Sequence, residues 1–166
     1  MPSKFASAEV ADLWALIASS VDRLVDLARD LDVSGGPEAL HWRPAIADAN
    51  SVIALAHHTL ENLEDNIIYT VPGRDRDIAR AREAEFDASD SSSVRLVARW
   101  ADLQQRAEAV LASLPSAVLG ERRVHPRRGE QSVLTVFAVV ARHCAEHLAH
   151  AELTRDLHAA QPGVSA

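Results

Sequence analysis

Four stretches of the 166-residue chain each carry one apolar stripe at three-and-four spacing, and that periodicity restricts the fold more than any other feature. The first runs from about Ser7 to Leu31, with Val10, Leu13, Trp14, Ile17, Val21, Leu24, Val25 and Leu31 on one side. Ser7 suits an N-cap, and Gly35-Gly36-Pro37 marks the exit. The second begins near Asp48 and continues to about Tyr69, before Pro72-Gly73, with Val52, Leu55, Ala56, Thr59, Leu63 and Ile67 inward. The third spans roughly Val94 to Leu114, with Val97, Trp100, Leu103, Ala107, Val110 and Leu114 inward and Pro115 as its stop. The fourth starts after Gly129, with Ser132 as a candidate cap, and reaches about His158 on a stripe of Val133, Val136, Phe137 and Val140.

Four one-faced helices are most simply satisfied by a bundle, so the expected fold is all-α, a four-helix bundle forming one domain over residues 1–166 with its core at about 7–158. Aromatics make up only 4% of the chain, which favours helices over sheets. No strand pair with hairpin turns is legible. The connections exceed the two to eight residues usual in tight bundles, so they are expected to cross or roof one end. Within the polar connection from Gly73 to Ser93, Asp77 to Phe86 suits a short helical turn.

Charge and hydropathy exclude several function classes. The formal net charge is −7, which repels nucleic acid. The basic run Arg122-Arg-Val-His-Pro-Arg-Arg128 lacks aromatics for base stacking and reads as a solvated loop. No stretch is apolar for long enough to span a membrane. The N-terminus shows no hydrophobic signal core, and Cys144 is the lone cysteine, so a cytoplasmic location without disulfides is expected.

The stripe of the fourth segment changes character along its length. After Val140 the same spacing selects His143 and His147. Residues four apart share a helix face, so both imidazoles can reach one cation. On the second segment, Ser51, Leu55, His58 and Asn62 follow one another at the same spacing. A facing His58 completes a His₃ set with open coordination positions, the donor pattern of zinc, nickel, iron or copper. The plainer reading is that these are core histidines brought into register by chance. His41, His57, His125 and His158 read as surface or loop residues, and His150 as a neighbour or substitute ligand. Cys144 points about 100° from His143 and reads as a packing residue. Glu61 and Glu146 are candidate partners for ligand N–H groups. Adjacent Glu146-His147 is not the Glu-x-x-His of a di-iron bundle.

The segments Leu40-His-Trp-Arg-Pro44 and Asn50-Ser-Val-Ile-Ala-Leu-Ala-His-His-Thr59 resemble the opening of DinB-like domains, where a Ser is followed seven residues later by a metal-binding His. From Ser51 that count gives His58 rather than His57. The run His143-Cys-Ala-Glu-His147 and its continuation to Leu157 resemble the family's last helix, whose His-x-x-x-His supplies two more ligands. His147-Leu-Ala-His-Ala-Glu-Leu-Thr-Arg155 is similar to the subgroup related to mycothiol-dependent enzymes, as is the stretch from Arg74 to Phe86.

The resemblance, over roughly Leu13 to Leu157, implies a four-helix bundle with a long crossover, often dimeric. It implies a divalent metal, zinc or nickel foremost, on His58, His143 and His147. It further implies a low-molecular-weight-thiol S-transferase, or a related hydrolase or isomerase, acting on a small thiol and an electrophilic substrate. Arg43 or Arg155 would then hold an anionic part of either. A non-catalytic metal- or ligand-binding bundle is the alternative. The chain departs from the family's commonest ending, His-Arg-Gly-Gln, since Leu148, Ala149 and His150 follow His147.

Overall fold

The computed structural model describes residues 4–47, 49–75, 92–125 and 128–163. Among them lie four α-helices: α1 (Ala8–His41), α2 (Val52–Leu63), α3 (Ser93–Leu111) and α4 (Val133–Ala159). The fold is the expected all-α bundle. α1 packs against the other three helices, and α2 packs against both α3 and α4. Two caps, Ser7 and Ser132, stand where the sequence places them, and the third stands at Ser51. The side chains of Ser7, Ser51 and Ser132 accept hydrogen bonds from the backbone N–H of Val10, Ala54 and Thr135. Each satisfies a donor that the first helical turn leaves without an intrahelical partner. No helix among the described residues is long and apolar enough to cross a membrane.

The apolar stripes meet in one continuous core, in which Ile17, Leu24, Leu55, Leu63, Leu103 and Phe137 are fully buried. Trp14, Leu24 and Leu31 of α1 all belong to it. On α3 the expected stripe drifts at both ends. Leu96 and Leu111 are buried, whereas Val97 is exposed and Val110 and Leu114 are only partly covered. The true register, Leu96-Trp100-Leu103-Ala107-Leu111, keeps three-and-four steps centred on Trp100. Its indole Nε1 donates to Asp22 of α1 at 2.7 Å and fixes the rotation of the helix.

α1 continues past its expected end at Leu31. Gly36 takes φ 67°, a left-handed conformation that breaks the helix without ending it, and Pro37 opens a further turn to His41. At Gly35 the reason is contact: a Cβ there would stand 2.5 Å from the Cβ of Ala39. α2 begins at Val52, later than expected. Asp48, and the turn expected at Asp77–Phe86, lie outside the described residues.

Beyond Leu63 the same helix widens into a π-helical segment, Glu64–Thr70. Val71 N–H donates to Asn66 O and Arg74 N–H to Tyr69 O, both five residues back. The wider turn lets three consecutive residues, Asn66, Ile67 and Ile68, all be buried.

The absence of strands is corrected by the structure. Residues read as a solvated loop form a two-stranded antiparallel hairpin, β1 (Arg122–His125) with β2 (Gly129–Ser132), in which Arg123 pairs with Gln131. Neither strand alternates apolar and polar residues, so no period-two signal exists in the sequence. The hairpin is held by polar anchors instead. Arg123 Nε donates to Val71 O at 3.0 Å, and Val133 N–H donates to Glu121 O at 2.9 Å.

Candidate metal centre

Two helices deliver the three histidines. Two turns after its Ser51 cap, α2 places His58 inward, where it is 2% exposed. Thr59 beside it turns its hydroxyl back to Leu55 O at 2.8 Å. On α4 the aliphatic stripe gives way to His143 and His147, both half-buried. The ring centroids of His58 lie 5.0 Å from those of both His143 and His147, which are 4.3 Å from each other. One ring nitrogen of each can be chosen so that all three lie within 4.8 Å of one another.

A tetrahedral ion with metal–nitrogen bonds of about 2.0–2.1 Å separates its ligand nitrogens by roughly 3.3 Å. Small rotations of the rings close that difference. The donor set therefore fits a divalent transition metal, and three ligands leave further coordination positions for a second molecule. His143 and His147 are each half-buried as residues, while the Nε2 atom of His143 is itself buried.

The neighbouring histidines take other parts. His57 faces α3, where Arg99 Nη1 lies 3.2 Å from its Nδ1. A guanidinium only donates, so Nδ1 accepts and the proton sits on Nε2. Burial, and next the adjacent Arg99 charge, push the His57 pKa down to about 4. His125 was expected on a surface loop, but it is 6% exposed at the end of β1, accepting at Nδ1 from Arg128 N–H at 3.2 Å. A hairpin folded back on the bundle buries what a free loop would expose. His158 stacks on Trp42 with ring centroids 5.3 Å apart, His41 is half-buried at the end of α1, and His150 lies outside the cluster of three.

The other candidate residues are likewise placed. Cys144 is 1% exposed within the core, and burial raises its thiol to about 12, which removes it as a nucleophile. Glu61 is bound by Arg99 across the α2–α3 interface, and Glu146 lies 3.6 Å from Arg142 on its own helix. Arg155 pairs with the adjacent Asp156, and Arg43 is exposed. Asn66 escaped the sequence reading, because only the π-helical turn brings it in from the flank of α2. It is fully buried and accepts from Arg128 Nη2 at 2.5 Å.

Comparison with known families gives one match, in which the model of the DinB superfamily covers residues 16–151. No curated protein and no solved structure matches the chain.

Proposed function

Because this chain belongs to the DinB superfamily, we propose that it is a divalent-metal-dependent enzyme whose metal is held by His58, His143 and His147. The observation that carries this reading is the convergence of three ring nitrogens within 4.8 Å of one another, on two helices whose inward faces are otherwise mostly apolar. Zinc or nickel suits an all-imidazole set. When bound, such an ion acidifies a thiol or water placed on it and polarises a carbonyl.

The reaction we assign to it is transfer of a low-molecular-weight thiol to an electrophile, with hydrolysis or isomerisation as related outcomes. The resemblance of His147 to Arg155 to mycothiol-dependent proteins supports that class. The protein supplies no thiol of its own, since Cys144 is sealed in the core. A small thiol from solution must therefore provide the sulfur. His58 fixes the inner side of the site, while His143 and His147 hold its solvent side. Neutral His57 accepts from Arg99 and keeps that side chain's charge on the α3 flank. The electrophile then approaches from the half-exposed face of α4.

The test is turnover of a chromogenic electrophile by the zinc- or nickel-loaded protein, with and without added thiol, in wild type and His58→Ala. Thiol-dependent turnover lost in His58→Ala is the expected result. Stoichiometric metal binding without turnover for any thiol would contradict the enzyme reading and leave a metal- or ligand-binding bundle.

A further inference from the structure

The face of α2 that carries His58 continues in steps of four to Asn62 and Asn66, and the hydrogen bonds along it have a fixed direction. Arg128, in the turn between β1 and β2, donates from Nη2 to Asn66 Oδ1 at 2.5 Å. Guanidinium nitrogens only donate, so Asn66 must present its oxygen to Arg128 and its Nδ2 elsewhere. That Nδ2 donates to Asn62 O at 2.7 Å and to Asn62 Oδ1 at 3.3 Å. Asn62 thereby commits its own oxygen to Asn66. Asn66 lies one turn beyond Asn62, and His58 lies one turn before it. An amide that gives its oxygen to Asn66 turns its Nδ2 away from Asn66, and in that direction along α2 the next residue of the same face is His58. Asn66 is fully buried, whereas Asn62 is half-exposed, so the relay ends at a donor that a ligand can reach. Along the helix axis the backbone positions of Asn62 and His58 are about 6 Å apart.

We propose that Asn62 is a specificity-determining residue: its Nδ2 donates to an acceptor oxygen, an amide carbonyl or a carboxylate, on the thiol held at the histidine site. The proposal rests on the metal-and-thiol reading above. Asn66 acts as a positioning residue, since its Nδ2 sets which end of the Asn62 amide is left for a ligand, and Arg128 braces Asn66. The Asn62 backbone carbonyl only accepts, so it already holds Asn66 with Nδ2 toward Asn62, and Arg128 reinforces that polarity from the Oδ1 side. With that polarity, the site is polarised against ligands that carry a donor, such as an ammonium, at the same place. The π-helical turn is what brings Asn66 into line with the hairpin, which gives that segment a part in ligand choice.

The experiment uses the cobalt(II)-loaded protein and reads the thiolate-to-cobalt absorption during titration with four small thiols. N-acetylcysteamine carries a carbonyl, 3-mercaptopropionate a carboxylate, cysteamine an ammonium, and propanethiol no polar group. At least one of the first two is expected to bind about fivefold more tightly than propanethiol, the gain of one net hydrogen bond. Which of the two does so separates carbonyl from carboxylate. Asn62→Leu removes the preference while propanethiol binds unchanged, and Asn66 keeps the Asn62 carbonyl as an acceptor, so the fold is retained. Asn62→Asp reverses the preference toward cysteamine. An undiminished preference in Asn62→Leu, or equal binding of all four thiols by wild type, overturns the role of Asn62 and leaves the thiol reading standing. No spectral response to any thiol overturns both. In the metal-free protein, side-chain amide hydrogen exchange should be slow at Asn66 and fast at Asn62, with Asn66 losing protection in Arg128→Met. The opposite order would refute the relay directly.

Discussion

His57→Gln isolates one physical claim about the site's surroundings. In the folded protein the His57 pKa is lowered from 6.5 to about 4, first by burial and then by Arg99. The folded state therefore binds fewer protons than the unfolded chain between those two values. Stability is greatest above pH 6.5 and falls as the pH drops toward 4. The whole step corresponds to about 3.4 kcal/mol at 1.36 kcal/mol per unit, of which about 2.5 kcal/mol falls between pH 7.5 and 4.5. His57 is only half-buried, and solvent screening reduces this to about 1.5 kcal/mol. Glutamine keeps an acceptor for Arg99 and cannot titrate. Urea denaturation of the chelator-treated protein at both pH values gives the two stabilities. Wild type should lose about 1.5 kcal/mol more than His57→Gln on acidification. An equal loss in both proteins, or a smaller loss in wild type, would refute the assignment of a buried neutral imidazole.

Further perturbations test the fold around the site. Phe137→Ala, at a fully buried position of α4, should cost about 3–5 kcal/mol in denaturant unfolding, because a cavity opens beneath the histidine stripe. Gly36→Ala should cost about 1–2 kcal/mol, since its φ of 67° penalises any Cβ although nothing lies within 4 Å of one. Cys144 should stay unreactive toward a thiol reagent at pH 8 in the native protein and react once urea unfolds it, as burial holds its thiol near 12.

The four helices were legible because each buries one face, and period 3.6 is written directly in the positions of its aliphatic residues. The caps Ser7 and Ser132 were legible for an equally local reason, a hydroxyl preceding an apolar run, whereas the helix start expected near Asp48 falls instead at the Ser51 cap. The histidine triad could be read because Ser51, Leu55 and His58, like Val140, His143 and His147, continue stripes already assigned. What stayed hidden depends on tertiary contacts. The hairpin has no alternating pattern, since Arg123 anchors it to Val71 O rather than an apolar face. The burial of His125 follows from that anchoring. The π-helical turn adds an extra residue to each hydrogen-bonded loop without changing composition, so the burial of Asn66 and its bonds to Asn62 and Arg128 appear only in the folded chain. Gly36 signalled a helix exit, and only packing on the core carries α1 onward to His41.

The proposed chemistry depends on His58, His143 and His147 holding one metal ion. Elemental analysis of gently purified protein, alongside a His143→Ala/His147→Ala variant with unchanged helical circular dichroism, tests it most directly. The account predicts about one zinc or nickel ion per wild-type chain, and none in the variant. A wild-type protein that stays metal-free after zinc and nickel are supplied, with its fold intact, would contradict it.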